Sequence, residues 1–156
     1  MKALTEEEKY MREAVREAKK ALKRGEVPIG CVIVMNGEII ARGYNRRMTD
    51  KSAIAHAEMY AIKKACKVTG DWRLDGAEMY VTLEPCQMCS GAIIQARIRK
   101  LYIGAMNPKA GFAGSLMNIF EVPGLNHRVE IETGIMAGEC AALLTQFFKD
   151  LRKKSS

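Results

Sequence analysis

The sequence predicts a three-layer α/β domain. Segments with the apolar patterns of strands alternate along the chain with segments in which apolar residues recur at helical spacing. Strands that alternate with helices form a sheet packed between helical layers, which is the basis of this prediction. The length of 156 residues is that of one domain, and the sequence contains no repeat, linker or low-complexity tract. We therefore expect residues 1–156 to form a single domain.

The first predicted element is a helix with a signal at each end. Thr5 and Glu8 have the spacing of a capping box, in which two residues exchange side-chain and backbone hydrogen bonds. Apolar residues then recur at helical spacing, and Gly25 is a typical helix stop. These signals predict a helix that begins just after Thr5 and ends just before Gly25.

A β-hairpin is predicted next. Residues 31–35 form a continuous apolar run of strand length. Asn36 and Gly37 tolerate the positive φ angles of a tight turn, so residues 38–44 should return as an antiparallel strand. Cys31 opens the first strand, and we interpret it as a core residue because free cysteine behaves as a small apolar side chain.

The remaining elements alternate between helix and strand. We predict helices over residues 56–67, from Cys86 to about residue 96, and over 137–154, with strands over 78–83, 100–105 and 129–132. In the last helix four apolar side chains are expected to face inward, namely Leu143, Leu144, Phe147 and Leu151. The small residues between positions 107 and 115 indicate a functional loop.

Composition restricts the classes of function. No apolar run approaches the about 20 residues of a membrane span, and the polar, acidic residues 1–10 do not resemble a signal peptide. Five cysteines without a paired pattern indicate a reducing cytoplasm rather than a disulfide framework. The formal net charge of +7 favours a polyanionic partner, although charge alone leaves nucleic-acid binding open because many basic proteins bind nothing acidic.

Two short motifs carry the chemistry. His56-Ala57-Glu58 is followed about thirty residues later by Pro85-Cys86-Gln87-Met88-Cys89. Together they supply an imidazole, two thiolates and one further carboxylate. A catalytic zinc site has three protein ligands and keeps a fourth position for water, whereas a structural site is usually closed by four. The pattern is the general signature of zinc nucleobase deaminases.

The spacing of these motifs is compatible with one metal site. Cys86 and Cys89 are three residues apart and share a face at the start of a helix, where the helix dipole favours the thiolate. Pro85 suits the first turn of that helix. His56 and Glu58 can both border a metal that lies just off the start of their own helix. Each motif follows a strand, at the place where ligands gather in open α/β sheets.

The cysteine pair alone has two less specific interpretations. Cys-x-x-Cys is also found in redox pairs and as half of a zinc ribbon. A ribbon needs a second pair, whereas Cys31, Cys66 and Cys140 are scattered singly. A redox pair also opens a helix, so position does not exclude it. The combination with His56 and Glu58 favours catalytic zinc.

Segments along nearly the whole chain, from about residue 5 to residue 154, resemble one family. They are Val27-Pro28-Ile29-Gly30, Gly43-Tyr44-Asn45-Arg46, Ala55-His56-Ala57-Glu58, Tyr80-Val81-Thr82-Leu83-Glu84-Pro85-Cys86, Gly114-Ser115-Leu116-Met117, Asn126-His127-Arg128-Val129 and Glu139-Cys140-Ala141-Ala142 with Phe147-Phe148. On these residues the chain resembles the bacterial tRNA-specific adenosine deaminases of the cytidine-deaminase-like superfamily. The resemblance implies a three-layer α/β/α fold with a mixed five-stranded central sheet. It also implies a homodimer.

The activity implied by the resemblance is hydrolytic deamination of adenosine to inosine at the wobble position of a tRNA anticodon loop, with arginine tRNA as the expected substrate and ammonia as the second product. One Zn2+ per subunit would be bound by His56, Cys86 and Cys89. Glu58 would be the proton shuttle. The matching segments imply that Ile29, Asn45, Leu83 and Phe148 shape the base pocket, and that Asn107 and Lys109 lie near the substrate backbone.

Several of these residues have a simpler interpretation without the resemblance. Asn45 would be a turn residue, and Asn107, where relatives commonly carry Asp, would cap the turn before Pro108. The candidate phosphate contacts would be ordinary surface charges; they are Arg46, Arg47, Lys149, Arg152, Lys153 and Lys154. Two competing functions also remain at this stage. One is deamination of a free base or nucleoside, and the other is a catalytically silent, zinc-stabilised RNA-binding module.

Overall fold

The computed structural model describes residues 3–155, so Met1, Lys2 and Ser156 of the predicted domain lie outside the described residues. The elements in chain order are α1 (Glu6–Lys23), β1 (Gly30–Met35), β2 (Glu38–Tyr44), α2 (Ala57–Thr69), β3 (Glu78–Leu83), α3 (Gln87–Gln95), β4 (Lys100–Ala105), β5 (Glu130–Thr133) and α4 (Ala137–Lys154). A short 3-10 helix, Ile119–Glu121, precedes β5. Each predicted helix and strand is present, with boundaries within a few residues of those expected.

The sheet is mixed and has five strands in the order β2-β1-β3-β4-β5. Strand β1 is antiparallel to both of its neighbours, whereas β3, β4 and β5 run parallel. It follows that β2 points in the same direction as β3 and β4. The carboxyl ends of these three strands and the start of β1 therefore meet at one edge of the sheet.

Helices cover both faces of the sheet, which confirms the three-layer architecture. Cys31 and Ile33 of β1 pack in the core formed with α2 and α3. Val32 and Val34, which point to the other face, pack in the core formed with α1 and α4. This alternation is the period of two that side chains have along a strand.

Local signals explain why the first elements begin and end as they do. The hydroxyl of Thr5 accepts a hydrogen bond from the Glu8 N–H at 3.1 Å, and the Thr5 N–H donates to the Glu8 carboxylate at 2.9 Å. This is the predicted capping box. Asn36 and Gly37 have φ angles of 52° and 78°, as the turn between β1 and β2 requires.

Two details differ from the expectations. Pro85 lies just before the N-cap residue Cys86 rather than in the first turn of α3. The inward face predicted for α4 is confirmed for Leu143, which packs against the core, but is wrong for Leu151, which is 49 % exposed. Leu144 and Phe147 are half-buried. The residues of α4 that join the core are Cys140 and Leu143, both in its first two turns. In the later turns Phe148 and Leu151 are 42 % and 49 % exposed, and neither packs in a core cluster of the described residues.

Among residues 3–155, no helix combines the length and the hydropathy needed to cross a membrane.

Candidate active site

Three potential metal ligands meet at the edge of the sheet where β2 and β3 end. His56 is the N-cap residue of α2, Cys86 is the N-cap residue of α3, and Cys89 lies in the first turn of α3. The Nδ1 atom of His56 lies 3.6 Å from Sγ of Cys86 and 3.5 Å from Sγ of Cys89. All three donor atoms lie within 4.8 Å of one another.

This arrangement fits a zinc ion. In a tetrahedral site with Zn–N near 2.0–2.1 Å and Zn–S near 2.3 Å, a nitrogen and a sulfur ligand lie about 3.6 Å apart. The distances from His56 to the two sulfurs match that value. Within residues 3–155, this is the single group of three or more His, Cys, Asp or Glu side chains that could hold a metal ion. With three protein donors it has the composition of a catalytic site rather than a structural one.

The two thiols differ in their ionisation. Hydrogen bonds from Cys89 and then from His56 outweigh the effect of burial and lower the pKa of Cys86 to about 4. The pKa of Cys89 is raised by its hydrogen bond with Cys86 and by burial. The thiolate is the form that binds metal, and cysteine ligands release their protons when a metal ion binds.

A buried carboxylate lies beside the ligands without belonging to them. Glu58 occupies the second position of α2 and is 4 % exposed. Burial, which disfavours the charged form, raises the pKa of Glu58 to about 7. A carboxylate with a pKa near the working pH can both accept and return a proton.

A close backbone approach places the first turn of α2 on the sheet. A Cβ atom at Gly43 in β2 would lie 2.3 Å from the carbonyl oxygen of Ala57, the residue between His56 and Glu58. Because glycine has no Cβ, the helix can start directly against the strand. Gly43 therefore sets the depth of both functional side chains.

A cavity of about 830 Å³ opens onto this group. It brings together eleven of the residues expected from the sequence: His56, Glu58, Cys86, Ile29, Asn45, Leu83, Asn107, Lys109, Phe148, Arg47 and Arg152. Cys89 is fully buried and lies outside the cavity lining. Phe148 of α4 is 42 % exposed, so it lines the cavity and is not part of the core.

Four candidate phosphate contacts do not line the cavity. The guanidinium of Arg46 donates to the carboxylate of Asp50 and to the hydroxyl of Tyr44, so its charge is engaged locally. Lys149, Lys153 and Lys154 are exposed on α4 but do not line the cavity.

The two asparagines of the lining also make local hydrogen bonds. Asn45 donates from Nδ2 to the Val27 carbonyl at 3.2 Å and accepts from the Arg47 N–H at 3.1 Å. Asn107 accepts from the Lys109 N–H through Oδ1 at 3.3 Å, which is the turn bond expected of an asparagine before Pro108. Each amide keeps a further donor for a ligand in the cavity.

Sequence reasoning missed two buried carboxylates that hold loops at this edge. Glu26 is 1 % exposed and accepts hydrogen bonds from Met48 N–H and from the N–H and hydroxyl of Thr49. Glu84 is 2 % exposed and accepts four hydrogen bonds from the loop after β4. Their partners lie more than twenty residues away in the chain, so no local pattern signals either role.

Comparisons with known proteins agree with this geometry. A family model described as MafB19-like deaminase matches residues 5–152. The chain is 53 % identical over 151 residues to the tRNA-specific adenosine deaminase of Bacillus subtilis strain 168, covering 97 % of this chain and 94 % of the relative. It is 44 % identical over 149 residues to the tRNA-specific adenosine deaminase of Agrobacterium fabrum, covering 96 % of this chain and 98 % of the relative.

Solved structures show the same fold. One, from work on A-to-I editing by tRNA:A34 deaminases at the wobble position of transfer RNA, superposes with a TM-score of 0.84 at 45 % identity. That match covers 87 % of this chain and 99 % of the other. A guanine deaminase from Nitrosomonas europaea superposes with a TM-score of 0.79 over 94 % of this chain and 86 % of the other, at 23 % identity, and shows similarity of fold alone.

Proposed function

This chain belongs to the tRNA-specific adenosine deaminase family, and on that premise we propose that it converts adenosine to inosine at the wobble position of a tRNA anticodon loop. The reaction consumes one water and releases one ammonia. The observation that carries the proposal is the buried Glu58 beside the His56, Cys86 and Cys89 group on an 830 Å³ cavity. Arginine tRNA is the substrate we expect.

His56, Cys86 and Cys89 would hold one Zn2+ per subunit. When bound, the ion supplies a water that is acidic enough to act as a nucleophile near neutral pH. The donor set and its spacing support this assignment. A structural zinc would need no carboxylate beside its ligands, so Glu58 argues against a silent RNA-binding module.

Glu58 would move the protons of the reaction. Its carboxylate takes a proton from the attacking water and delivers it to the ring nitrogen adjacent to the amino-bearing carbon. The proton of the hydroxyl group then attached to that carbon passes through the same carboxylate to the amino group, the C–N bond breaks, and ammonia leaves as the carbonyl of inosine forms. The pKa of about 7 keeps Glu58 able to serve as base and then as acid at neutral pH.

The cavity suits a single unstacked base. Its volume lies within the about 300–1,000 Å³ of small-molecule sites, and Ile29, Leu83 and Phe148 supply apolar surface for a purine ring. Asn45 has a remaining donor for a polar edge of the base. A stacked base cannot enter such a site, so an anticodon loop, where bases are splayed, is a better substrate than a duplex.

Positive charge at the cavity supports an RNA substrate rather than a free base. Arg47, Lys109 and Arg152 line the opening, and the whole chain carries a net charge of +7. Lys149, Lys153 and Lys154, which are exposed on α4, would contact phosphates further from the target nucleotide. Each neutralised phosphate releases counterions and adds affinity.

We further propose that the protein works as a homodimer in the cytoplasm. Large apolar side chains remain exposed on the single chain, among them Met48, Leu116 and Met117. An interface between two copies of this chain would cover such residues. Light scattering coupled to size-exclusion chromatography tests the dimer: a mass of one chain at all concentrations would contradict it.

The decisive experiment offers several substrates to the zinc-loaded protein in parallel. An anticodon stem-loop with adenosine at the wobble position should yield inosine, whereas the same stem-loop with guanosine there should not change. Free adenosine, cytidine and guanine should react at least about 10²-fold more slowly, because they lack the backbone contacts that position the base. Faster turnover of a free base than of the stem-loop would overturn the proposal.

A further inference from the structure

Glu84 is a buried carboxylate that the proposed chemistry does not use. It lies between the end of β3 and the metal ligand Cys86, and it is 2 % exposed. It belongs neither to the ligand group nor to the residues that move protons. Burying a carboxylate costs free energy unless every acceptor site is satisfied, so its retention here needs a physical reason.

All four of its acceptor positions are occupied by one loop. Oε1 accepts from the Asn107 N–H at 2.9 Å and from the Ser115 hydroxyl. Oε2 accepts from the N–H groups of Ala113 and Ser115 at 2.9 and 3.0 Å. A glutamine has one acceptor oxygen, and its NH2 group would face N–H donors. The position therefore requires a carboxylate and not merely a polar side chain.

The loop is shaped to receive this carboxylate. A Cβ atom at Gly111 would lie 2.2 Å from Cδ of Glu84, so only glycine leaves space for the acid. The Phe112 N–H donates to the carbonyl oxygen of Pro85 at 2.9 Å, so a backbone hydrogen bond also attaches the loop next to Cys86. The loop is thus held to the same two residues that lead into the metal-binding helix.

The tied loop forms part of the cavity. Residues 106–110 line it together with Glu84 itself, and they include Asn107 and Lys109. No regular helix or strand spans residues 106–118. Backbone hydrogen bonds form turns within the segment, and the bonds to Glu84 and Pro85 hold these turns against the end of β3. A mobile wall would have to be ordered at each binding event, at the expense of affinity.

We propose that Glu84 is a positioning residue: its carboxylate fixes residues 107–115 as a preformed wall of the substrate cavity, at a set place relative to Cys86. The identity of the substrate in this inference rests on the proposed function. Glu84 acts through the loop and touches no reacting atom. Its loss should therefore weaken substrate binding more than it slows the chemical step.

Three variants and one control separate this role from general stability. Glu84→Gln removes the charge and one of the two acceptor oxygens. Gly111→Ala places a methyl group where the carboxylate lies, and Ser115→Ala removes one donor only. Glu17→Gln is the control, because Glu17 is also a buried carboxylate, 3 % exposed, but pairs with Lys20 and Arg42 outside the cavity.

Steady-state kinetics on the stem-loop, metal analysis and hydrogen exchange are measured for every variant. We expect Glu84→Gln and Gly111→Ala to keep one zinc per chain. Their KM should rise at least about tenfold while kcat changes less than about threefold, which corresponds to losing one hydrogen-bonded buried charge. Amides in residues 106–118 should exchange at least about tenfold faster, whereas Glu17→Gln should leave KM and these amides unchanged.

An unchanged KM in both Glu84→Gln and Gly111→Ala would overturn the inference, as would equal KM changes in Glu17→Gln. If Glu84→Gln cannot be purified folded, Ser115→Ala decides: a KM raised about threefold supports the role, and a wild-type KM refutes it. Hydrogen exchange needs no substrate. If wild-type protein leaves the stem-loop unchanged, the proposed function fails, while faster exchange in Glu84→Gln still shows that the carboxylate orders this wall.

Discussion

The Nδ1 atom of His56 lies 3.5 Å from the Sγ atom of Cys89, thirty-three residues further along the chain. The two residues open different helices, α2 and α3, and each helix follows a strand that ends at the same edge of the sheet. The contact thus depends on the directions of β2 and β3, which β1 separates. Strand order, rather than nearness in sequence, assembles the ligand group.

Replacing either thiolate should remove the metal. We expect Cys86→Ala and Cys89→Ala to lose zinc and activity together, and to unfold more readily because metal binding is coupled to folding. Metal content per chain, measured by inductively coupled plasma spectrometry, checks this, with Cys66→Ala as the control cysteine outside the group. Full zinc content in both variants would contradict the ligand assignment.

Replacing Glu58, the proposed proton shuttle, should leave the metal in place. Glu58→Gln has nearly the same shape as wild type but cannot exchange the proton, so we expect normal zinc content and a turnover reduced by at least about 10²-fold. Single-turnover kinetics with the stem-loop give the measurement. Activity close to that of wild type would mean that another residue moves the proton.

Binding of the stem-loop should weaken steeply with salt, and Arg152 should contribute to that slope. Arg152 lines the cavity from α4, whereas Lys19 is exposed on α1 and does not line it. Arg152→Ala should reduce the slope of log affinity against log salt by about 0.7, the value for one phosphate of a single strand. Lys19→Ala is the matched control. Equal slopes for wild type and Arg152→Ala would exclude this phosphate contact.

Stability should depend on pH through Glu26. Burial opposes ionisation, but hydrogen bonds from the hydroxyl and N–H of Thr49 and from the Met48 N–H outweigh it and lower the pKa of Glu26. The carboxylate therefore stabilises the fold fully above the ordinary Glu pKa of about 4.3, and this contribution is lost as pH falls through the folded-state pKa.

Urea unfolding of wild type and Glu26→Gln at a series of pH values tests this dependence. The difference in free energy of unfolding should be largest near neutral pH and should shrink as the solution becomes more acidic than about pH 4. Glu38→Gln, at an exposed position, is the control. A difference that grows on acidification would reverse the sign and refute the assignment.

Asn107 should reduce discrimination between RNA and DNA. Its Oδ1 accepts the Lys109 N–H, a bond that an Asp carboxylate could also accept. An Asp carboxylate near the ribose would accept a charge-assisted hydrogen bond from the 2′-hydroxyl of RNA. DNA lacks this hydroxyl, so the carboxylate would only repel the DNA phosphates. Asn107→Asp should lower the DNA-to-RNA activity ratio about fivefold, or about 1 kcal/mol. Equal ratios at one salt concentration would leave Asn107 as a turn residue.

Local signals made much of the fold predictable. The capping box of Thr5 and Glu8 and the turn of Asn36 and Gly37 depend on neighbours in the sequence, and both are confirmed. The position of Leu151 was wrong because periodicity identifies an apolar stripe on a helix without showing whether another element covers it.

The clustering of four site residues was also predictable, because these residues belong to local sequence motifs. His56, Glu58, Cys86 and Cys89 belong to two short motifs, and the structure brings them together as the motifs require. The carboxylate of Glu84 could not be assigned because its partners lie 23 to 31 residues away and are mostly backbone N–H groups. Because every residue except proline has a backbone N–H, such hydrogen bonds cannot be recognised from residue types in a sequence. Gly111 is one of the small residues between positions 107 and 115 that predict a loop, but the reason for a glycine there, the Glu84 carboxylate against it, is visible only in three dimensions.

The turn between β1 and β2 lies at the opposite end of these strands from the site. Strand β1 has six residues, so the turn is about 20 Å from the cavity edge at about 3.3 Å per residue. The Tyr10 hydroxyl donates to the Gly37 carbonyl at 2.8 Å and anchors the turn to α1. A fluorophore or surface-immobilisation tag attached at this turn would therefore leave the catalytic edge open to a whole transfer RNA.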